Sequence, residues 1–275
     1  DATPTVTLTS SDVSVAENLG ASTLTATLSL GAGSATTVSL NISGNATLNT
    51  DYSVSSTSII IPAGSTSGTA TTTAIADQVD EESETITVDV SGVSGGNGAS
   101  ESGNQQVSIT ITDDDTAAFT VTQSSGSTSV AESGSSDDFT VVLGSEPTGN
   151  VVFDLSASDS TEATLSASTL TFTSSNWNSA QTVTVTGVND NVSDDNVTST
   201  ITVAINQGST NDAKYDALSS QSVSVTTTDG VDAATFTIAE TDNATLVSES
   251  GGTDTFSVVL GLSLIHISEP TRRIT

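Results

Sequence analysis

The chain has no cysteine, no methionine, one histidine, one tryptophan and only three basic residues among 275. Without cysteine there is no disulfide and no thiolate metal site. No run approaches the roughly 18 apolar residues of a membrane-spanning helix, and no signal peptide is visible. With one histidine and no cysteine, a Ser-His or Cys-His nucleophile has almost nothing to be built from. Lys214 is the only basic residue before the last fourteen positions. Against this scarcity stand 33 Asp and Glu, for a net charge of −30. That balance argues against nucleic acid and anionic lipid as partners. The chain starts in strand-like sequence without Met, and it reads as a piece of a longer protein.

What is present is period-two alternation. Thr5-Val6-Thr7-Leu8, Leu24-Thr25-Ala26-Thr27-Leu28, Thr85-Ile86-Thr87-Val88 and Val107-Ser108-Ile109-Thr110-Ile111 each set an apolar face against a polar one, the mark of half-buried strands. Gly- and Ser-rich turns such as Gly31-Ala32-Gly33-Ser34 separate them. No segment sustains a helical period. An acidic, aromatic-poor chain can be disordered, but disordered chains keep no two-residue period. The pattern also repeats. Glu17, Glu132 and Glu249 close three similar strands, with offsets of 132 − 17 = 115 and 249 − 132 = 117 residues. A period of this length is one domain per repeat. The expected fold is all-β, a tandem of immunoglobulin-like antiparallel β-sandwiches. The expected domains are 1–115, a divergent second copy at 116–232, and the start of a third at 233–261. Linkers are so short that a rod is expected rather than beads on a string.

The acids fall at strand ends, and loops of a sandwich cluster at its two ends. Like charges about 4 Å apart cost about 4 kcal/mol at an effective dielectric near 20. No Lys or Arg in the first repeat can offset this. Oxygen-only ligand sets select hard cations, and calcium, which takes about 6–8 oxygens, is the first candidate.

Five motifs in order carry a resemblance. Val15-Ala16-Glu17-Asn18, Thr50-Asp51-Tyr52, Ile61-Pro62-Ala63-Gly64, Asp77 to Thr85 and Ile109 to Asp115 resemble the signature of the Calx-β domain family. These are immunoglobulin-like sandwiches known from sodium–calcium exchangers and bacterial surface proteins. The resemblance implies calcium ligands at Glu17, Asp51, Asp77, Glu81, Glu84, Asp113, Asp114 and Asp115, with the Val79 carbonyl. Ala76 stands where the family often has Asp, so one ion site is expected to be weak or missing. In the second repeat Glu132, Asp190, Val192 and Asp194 match by position, and Glu162 falls near the place of Asp51. Val197 replaces Glu84, and Asp229-Gly230-Val231 replaces the triple acid. That repeat is expected to hold fewer ions or none, with Asp229 its last candidate ligand.

Weaker signals add little. Asn189-Asp190-Asn191 resembles part of a cadherin linker, in the wrong place. The EF-hand spacing is absent. Threonine rows from Thr69 to Thr73 and Thr182 to Thr186 suit an ice- or sugar-binding face, but threonine is common on exposed sheets. Trp177 reads as core packing or as a sugar platform. The last fourteen residues, Leu262 to Thr275, break the pattern and hold His266 and two of the basic residues. They resemble translated sequencing-adapter read-through, although Ser268-Glu269-Pro270-Thr271 echoes Ser145-Glu146-Pro147-Thr148. The functional expectation is a non-catalytic, calcium-binding stalk or adhesion module of a bacterial extracellular or cell-surface protein. Its partners would be calcium and a surface protein or carbohydrate. The alternative is an accessory module of a secreted hydrolase, and a third reading is a regulatory calcium sensor of a membrane transporter.

Overall fold

The computed structural model describes residues 2–189, 195–230, 236–240 and 245–260. Asp190, Val192, Asp194 and His266 lie outside the described residues. Two compact units divide after Ala117.

Unit one holds β1 (Thr5–Ser10), β2 (Ser14–Ala16), β3 (Ala21–Leu28), β4 (Thr36–Gly44), β5 (Tyr52–Val54), β6 (Ser58–Ile61), β7 (Ser67–Ala74), β8 (Glu84–Gly95), β9 (Ser100–Glu101) and β10 (Gln106–Thr112). They form two sheets, ordered β5-β7-β3-β1-β9 and β2-β10-β8-β4-β6. Alternating side chains from both sheets fill the core, among them Val6, Leu24, Val38, Ile59, Ile86 and Ile109. The unit is thus an immunoglobulin-like sandwich, as the alternation implies.

Unit two repeats the plan with β11 (Phe119–Gln123), β12 (Thr128–Ala131), β13 (Ser136–Leu143), β14 (Val151–Ala157), β15 (Ala163–Leu165), β16 (Thr169–Phe172), β17 (Gln181–Gly187), β18 (Val197–Ile205) and β19 (Gln221–Thr228). Its sheets run β11-β13-β17-β15 and β12-β19-β18-β14-β16, so among the described strands only β9 lacks a counterpart. Here aromatic rings replace aliphatic side chains at the centre. Phe153 meets Phe119 edge-on at 4.8 Å between centroids and Phe172 at 5.8 Å. Trp177 is buried, which favours packing over a sugar platform. A separate hairpin, β20 (Phe236–Glu240) and β21 (Phe256–Leu260), pairs with no other described strand.

One element escaped the alternation argument. The one-turn helix α1 (Ala213–Asp216) is capped by Asp212, whose carboxylate accepts from the Lys214 and Tyr215 amides. The other Asp212 oxygen takes Thr148 N–H at 2.8 Å. Tyr215 is fully buried, and its hydroxyl donates to the Ser145 carbonyl at 2.7 Å.

Most strand pairs are antiparallel. Besides the short β1–β9 pair, two parallel pairs are the ones that decide where the acids go. β2 runs parallel to β10, and β12 runs parallel to β19. Parallel neighbours finish at the same edge, so the residues that follow them emerge side by side.

Candidate metal centre

The parallel pair β2–β10 brings Glu17 to the triple acid. Glu17 N–H donates to the Thr112 carbonyl at 2.9 Å, one residue before Asp113. Gly20 permits the return of this loop: a Cβ there would lie 2.3 Å from the Ala16 carbonyl oxygen. Its own carbonyl takes the Ala74 N–H, and the Ile75 N–H goes to the Asp51 carbonyl. The end of β7 is therefore flanked by the loops that carry Glu17 and Asp51. The antiparallel partner β8 starts at Glu84, opposite Ile111. Four separate stretches of sequence thus deliver carboxylates to one end of the sandwich.

There, Glu17, Asp51, Glu81, Glu82, Glu84, Ile111 and Asp113 line a pocket of about 10 Å³, roughly room for one water-sized particle. Carboxylate oxygens of Asp51, Glu81 and Glu84 all lie within 4.8 Å of one another. Glu17 is only 6% exposed, and its Oε1 accepts the Asp77 amide at 2.9 Å. Asp77 in turn accepts from Val79 N–H at 2.8 Å. Asp113 accepts from the Glu81 amide at 3.2 Å and from the Asp115 amide at 3.3 Å. Asp51 takes the Thr47 amide, and Asp80 takes the Ala117 amide at 2.6 Å.

The crowding shows in the titration of these groups. Burial pushes Glu17 up to about 7, with Asp77 and Asp113 adding repulsion against its amide bond to Asp77. Glu84 is also raised to about 7, by burial first and then by Asp51, Glu81 and Glu17. Glu81 is raised by burial and by Asp77, Asp51 and Asp113. Asp115 rises for the same kind of reason, its neighbours being Asp113, Asp114, Asp77 and Asp80.

Of the ligands that the resemblance implies, the structure gathers Glu17, Asp51, Glu81, Glu84 and Asp113 around the pocket. Asp77, Val79 and Asp115 join through the amide bonds above. Asp114 is exposed and does not line the pocket. Glu82 does line it, although sequence reasoning did not single it out. Its place in a run of three acids gave no means to choose it.

The second unit copies the scaffold with fewer acids. Glu132 N–H donates to the Thr228 carbonyl at 3.1 Å, and Val188 N–H donates to the Glu162 carbonyl at 2.9 Å. These are the bonds of Glu17 and Asp51 in unit one, so Glu162 stands where Asp51 does. The Thr227 hydroxyl also reaches the Glu162 carbonyl, at 3.4 Å. Glu132 and Glu162 are buried, and a Glu132 oxygen accepts the Gly230 amide at 2.9 Å. Val197 pairs with Thr227 as Glu84 pairs with Ile111, which puts an isopropyl group in place of a ligand. Asp229 holds the Asp113 position, with its amide donating to Asn196 at 3.3 Å. Its Oδ1 is buried without a hydrogen-bond partner among the described residues.

Fold and site define a class: an immunoglobulin-like sandwich with a carboxylate cluster at one end. The Calx-beta domain family matches residues 1–115 and again residues 113–242. The chain belongs to the Calx-beta domain family. No curated protein matches it significantly. Among solved structures it is similar to the apo-form Calx CBD1 domain, at 20% identity over 42% of this chain and 100% of that one, with a TM-score of 0.37. It is also similar to CBD12 from CALX1.2, at 19% identity over 72% and 79% of the two chains, TM-score 0.36. S-layer protein SbsC domains 4 and 5 are 17% identical over 81% of this chain and 97% of that one, TM-score 0.31. Family membership rests on the two family matches.

Proposed function

We propose that the first unit is a calcium-binding module and that calcium, not a protein cation, is the counter-charge for its strand-end carboxylates. The observation that carries this is the convergence of Asp51, Glu81 and Glu84 oxygens within 4.8 Å, beside the buried Glu17. Such a group of like charges costs several kcal/mol when ionised. A hard divalent ion, with its appetite for about 6–8 oxygens, offsets that cost. When bound it supplies charge neutralisation and a geometric clamp, with no bond-making chemistry. Glu17, Asp51, Glu81, Glu84 and Asp113 would hold it. The amide bonds at Glu17, Asp77 and Asp113 orient the loops for it.

The module is non-catalytic on this reading. Its role is mechanical, in a stalk or adhesive protein outside the cell: the ion stiffens loops 17–20, 47–51 and 76–84 and the strand end at residues 113–115. Two repeats in tandem, with six residues between β10 and β11, support a stalk. Small-angle scattering of the chain with and without calcium tests that part through its maximum dimension. Calcium binding itself is tested by titration calorimetry, where heat from calcium but none after Glu17→Gln plus Glu84→Gln is expected. No calcium heat in the unaltered chain would remove the function.

A further inference from the structure

The outer face of the sheet β5-β7-β3-β1-β9 carries hydroxyls and no charge along its three central strands. Apart from Ala21, every outward position of β1, β3 and β7 is Thr or Ser. None of the chain's 33 acids stands at these positions. The other sheet of unit one is mixed on its outer side. There Asp89 pairs with Gln106 and Asn41, and Ile60 pairs with Thr37.

Strand pairing sets these hydroxyls in ranks. Thr25 stands between Thr69 and Thr9, and Thr27 between Ser67 and Thr7. One side-chain direction recurs along β1: the Thr7 and Thr9 hydroxyls each reach 3.5 Å to the carbonyl opposite, of Thr27 and Thr25. Threonine is stiff at its first torsion. The result is a net of fixed hydroxyls and methyls, spaced about 4.8 Å between strands and about 6.7 Å along them. Propensity explains threonine on a sheet, but it does not keep acids off one face of so acidic a chain.

A neutral face on a chain of net charge −30 fits a neutral partner. Water ordered as ice repeats its oxygens at spacings close to both of these, and each hydroxyl can donate one hydrogen bond and accept others. A charge would gather water into a shell of its own and break that order. A sugar ring would ask for an aromatic platform, and Tyr52, the only aromatic residue of unit one, is buried. Unit two keeps one rank, Thr122–Thr140–Thr182, with Asp138 and Val142 interrupting the net on either side.

We propose that the outer face of β7, β3 and β1 binds ice. Neighbouring strands turn by about 20–25°, so the near-flat patch is confined to the ranks of Thr25 and Thr27. The activity is therefore restraint of crystal growth at an adsorbed surface, not a deep depression of the freezing point.

Recrystallisation of ice in frozen sucrose solution tests this with the whole chain in calcium buffer. The unaltered chain should keep crystals small where serum albumin at equal concentration does not. Thr25→Tyr, which raises a ring from the centre of the net, should lose the effect. Thr87→Tyr, on the outer side of the other sheet, should keep it. Calorimetric melts of the first unit show whether each variant folds, and Thr69→Lys, at an exposed position of the same rank, serves if Thr25→Tyr does not. Unrestrained growth with the unaltered chain would overturn the proposal, as would restraint that survives in the folded net variants or is lost equally in Thr87→Tyr. A chain that leaves ice unrestrained but is retarded by a soluble β-glucan in native gels would put a polysaccharide on this face instead, and would overturn it too.

Discussion

The Asp77 amide donates to Glu17 Oε1 over 2.9 Å, across sixty positions of sequence. One of the most buried acids of the first unit is thus held by the loop that follows β7. The bond fixes Glu17 where its charge is least tolerable, burial and the carboxylates of Asp77 and Asp113 raising it to about 7. Placement and electrostatic cost come from the same geometry.

Glu17→Gln should separate the two. The amide keeps the oxygen that accepts from Asp77 and removes the charge. Each pKa unit corresponds to about 1.36 kcal/mol, so the calcium-free domain gains on the order of 3 kcal/mol at most at pH 8. Calcium affinity should fall at least tenfold. Calorimetric melts and titrations of the variant check both.

The pH dependence follows with a definite sign. Glu17 and Glu84 titrate near 7 in the fold against 4.5 otherwise. Their contribution to stability is fully present below about pH 4.5 and is lost as pH rises through about 7. The calcium-free first unit should therefore unfold more readily at pH 8 than at pH 5. Calcium should reverse the trend, because protons compete with the ion for the same oxygens. Hydrogen exchange of peptides from residues 1–115 reads the effect without interference from unit two.

The second unit should bind calcium more weakly than the first. Val197 and Gly230 stand in the places of Glu84 and Asp114. Restoring one ligand by Val197→Glu is expected to raise affinity several-fold and to destabilise the calcium-free unit. A variant with unchanged affinity in titration would speak against equating Val197 with Glu84.

Tyr215→Phe should destabilise unit two. The hydroxyl accepts from Ser145 N–H at 3.0 Å and donates to the Ser145 carbonyl, all of it buried. Unsatisfied buried groups cost about 1–3 kcal/mol each. The melt followed by Trp177 should drop by several degrees, with that of unit one unchanged.

Much of this was legible in the sequence, and the reasons differ by element. Alternation in Thr85 to Val88 or Ile109 to Ile111 has a single physical reading, so strands and sandwich could be inferred. Glu17, Asp51, Glu81, Glu84 and Asp113 could be singled out as candidate ligands because their motifs resemble a family, and the structure brings these five to one pocket. That they meet required the parallel pairing of β2 with β10, which no local pattern encodes. Asp114 stays outside the pocket, because alternation in the run of three acids sends the middle side chain outward. The helix at Ala213–Asp216 was missed because a single turn is too short to show a period. Its signal was the cap, Asp212 ahead of Lys214-Tyr215. The equivalence of Glu162 and Asp51 was approximate in sequence, and it became definite only through the bonds from Val188 and Ile75.

The most direct measurement is differential scanning calorimetry of the whole chain in calcium and in chelator. Binding to the folded state adds about 2.7 kcal/mol at a hundredfold excess over Kd. The account predicts that the first-unit transition rises by several degrees or more in calcium and that Glu17→Gln with Glu84→Gln abolishes the rise. Superimposable first-unit transitions in calcium and chelator would contradict it.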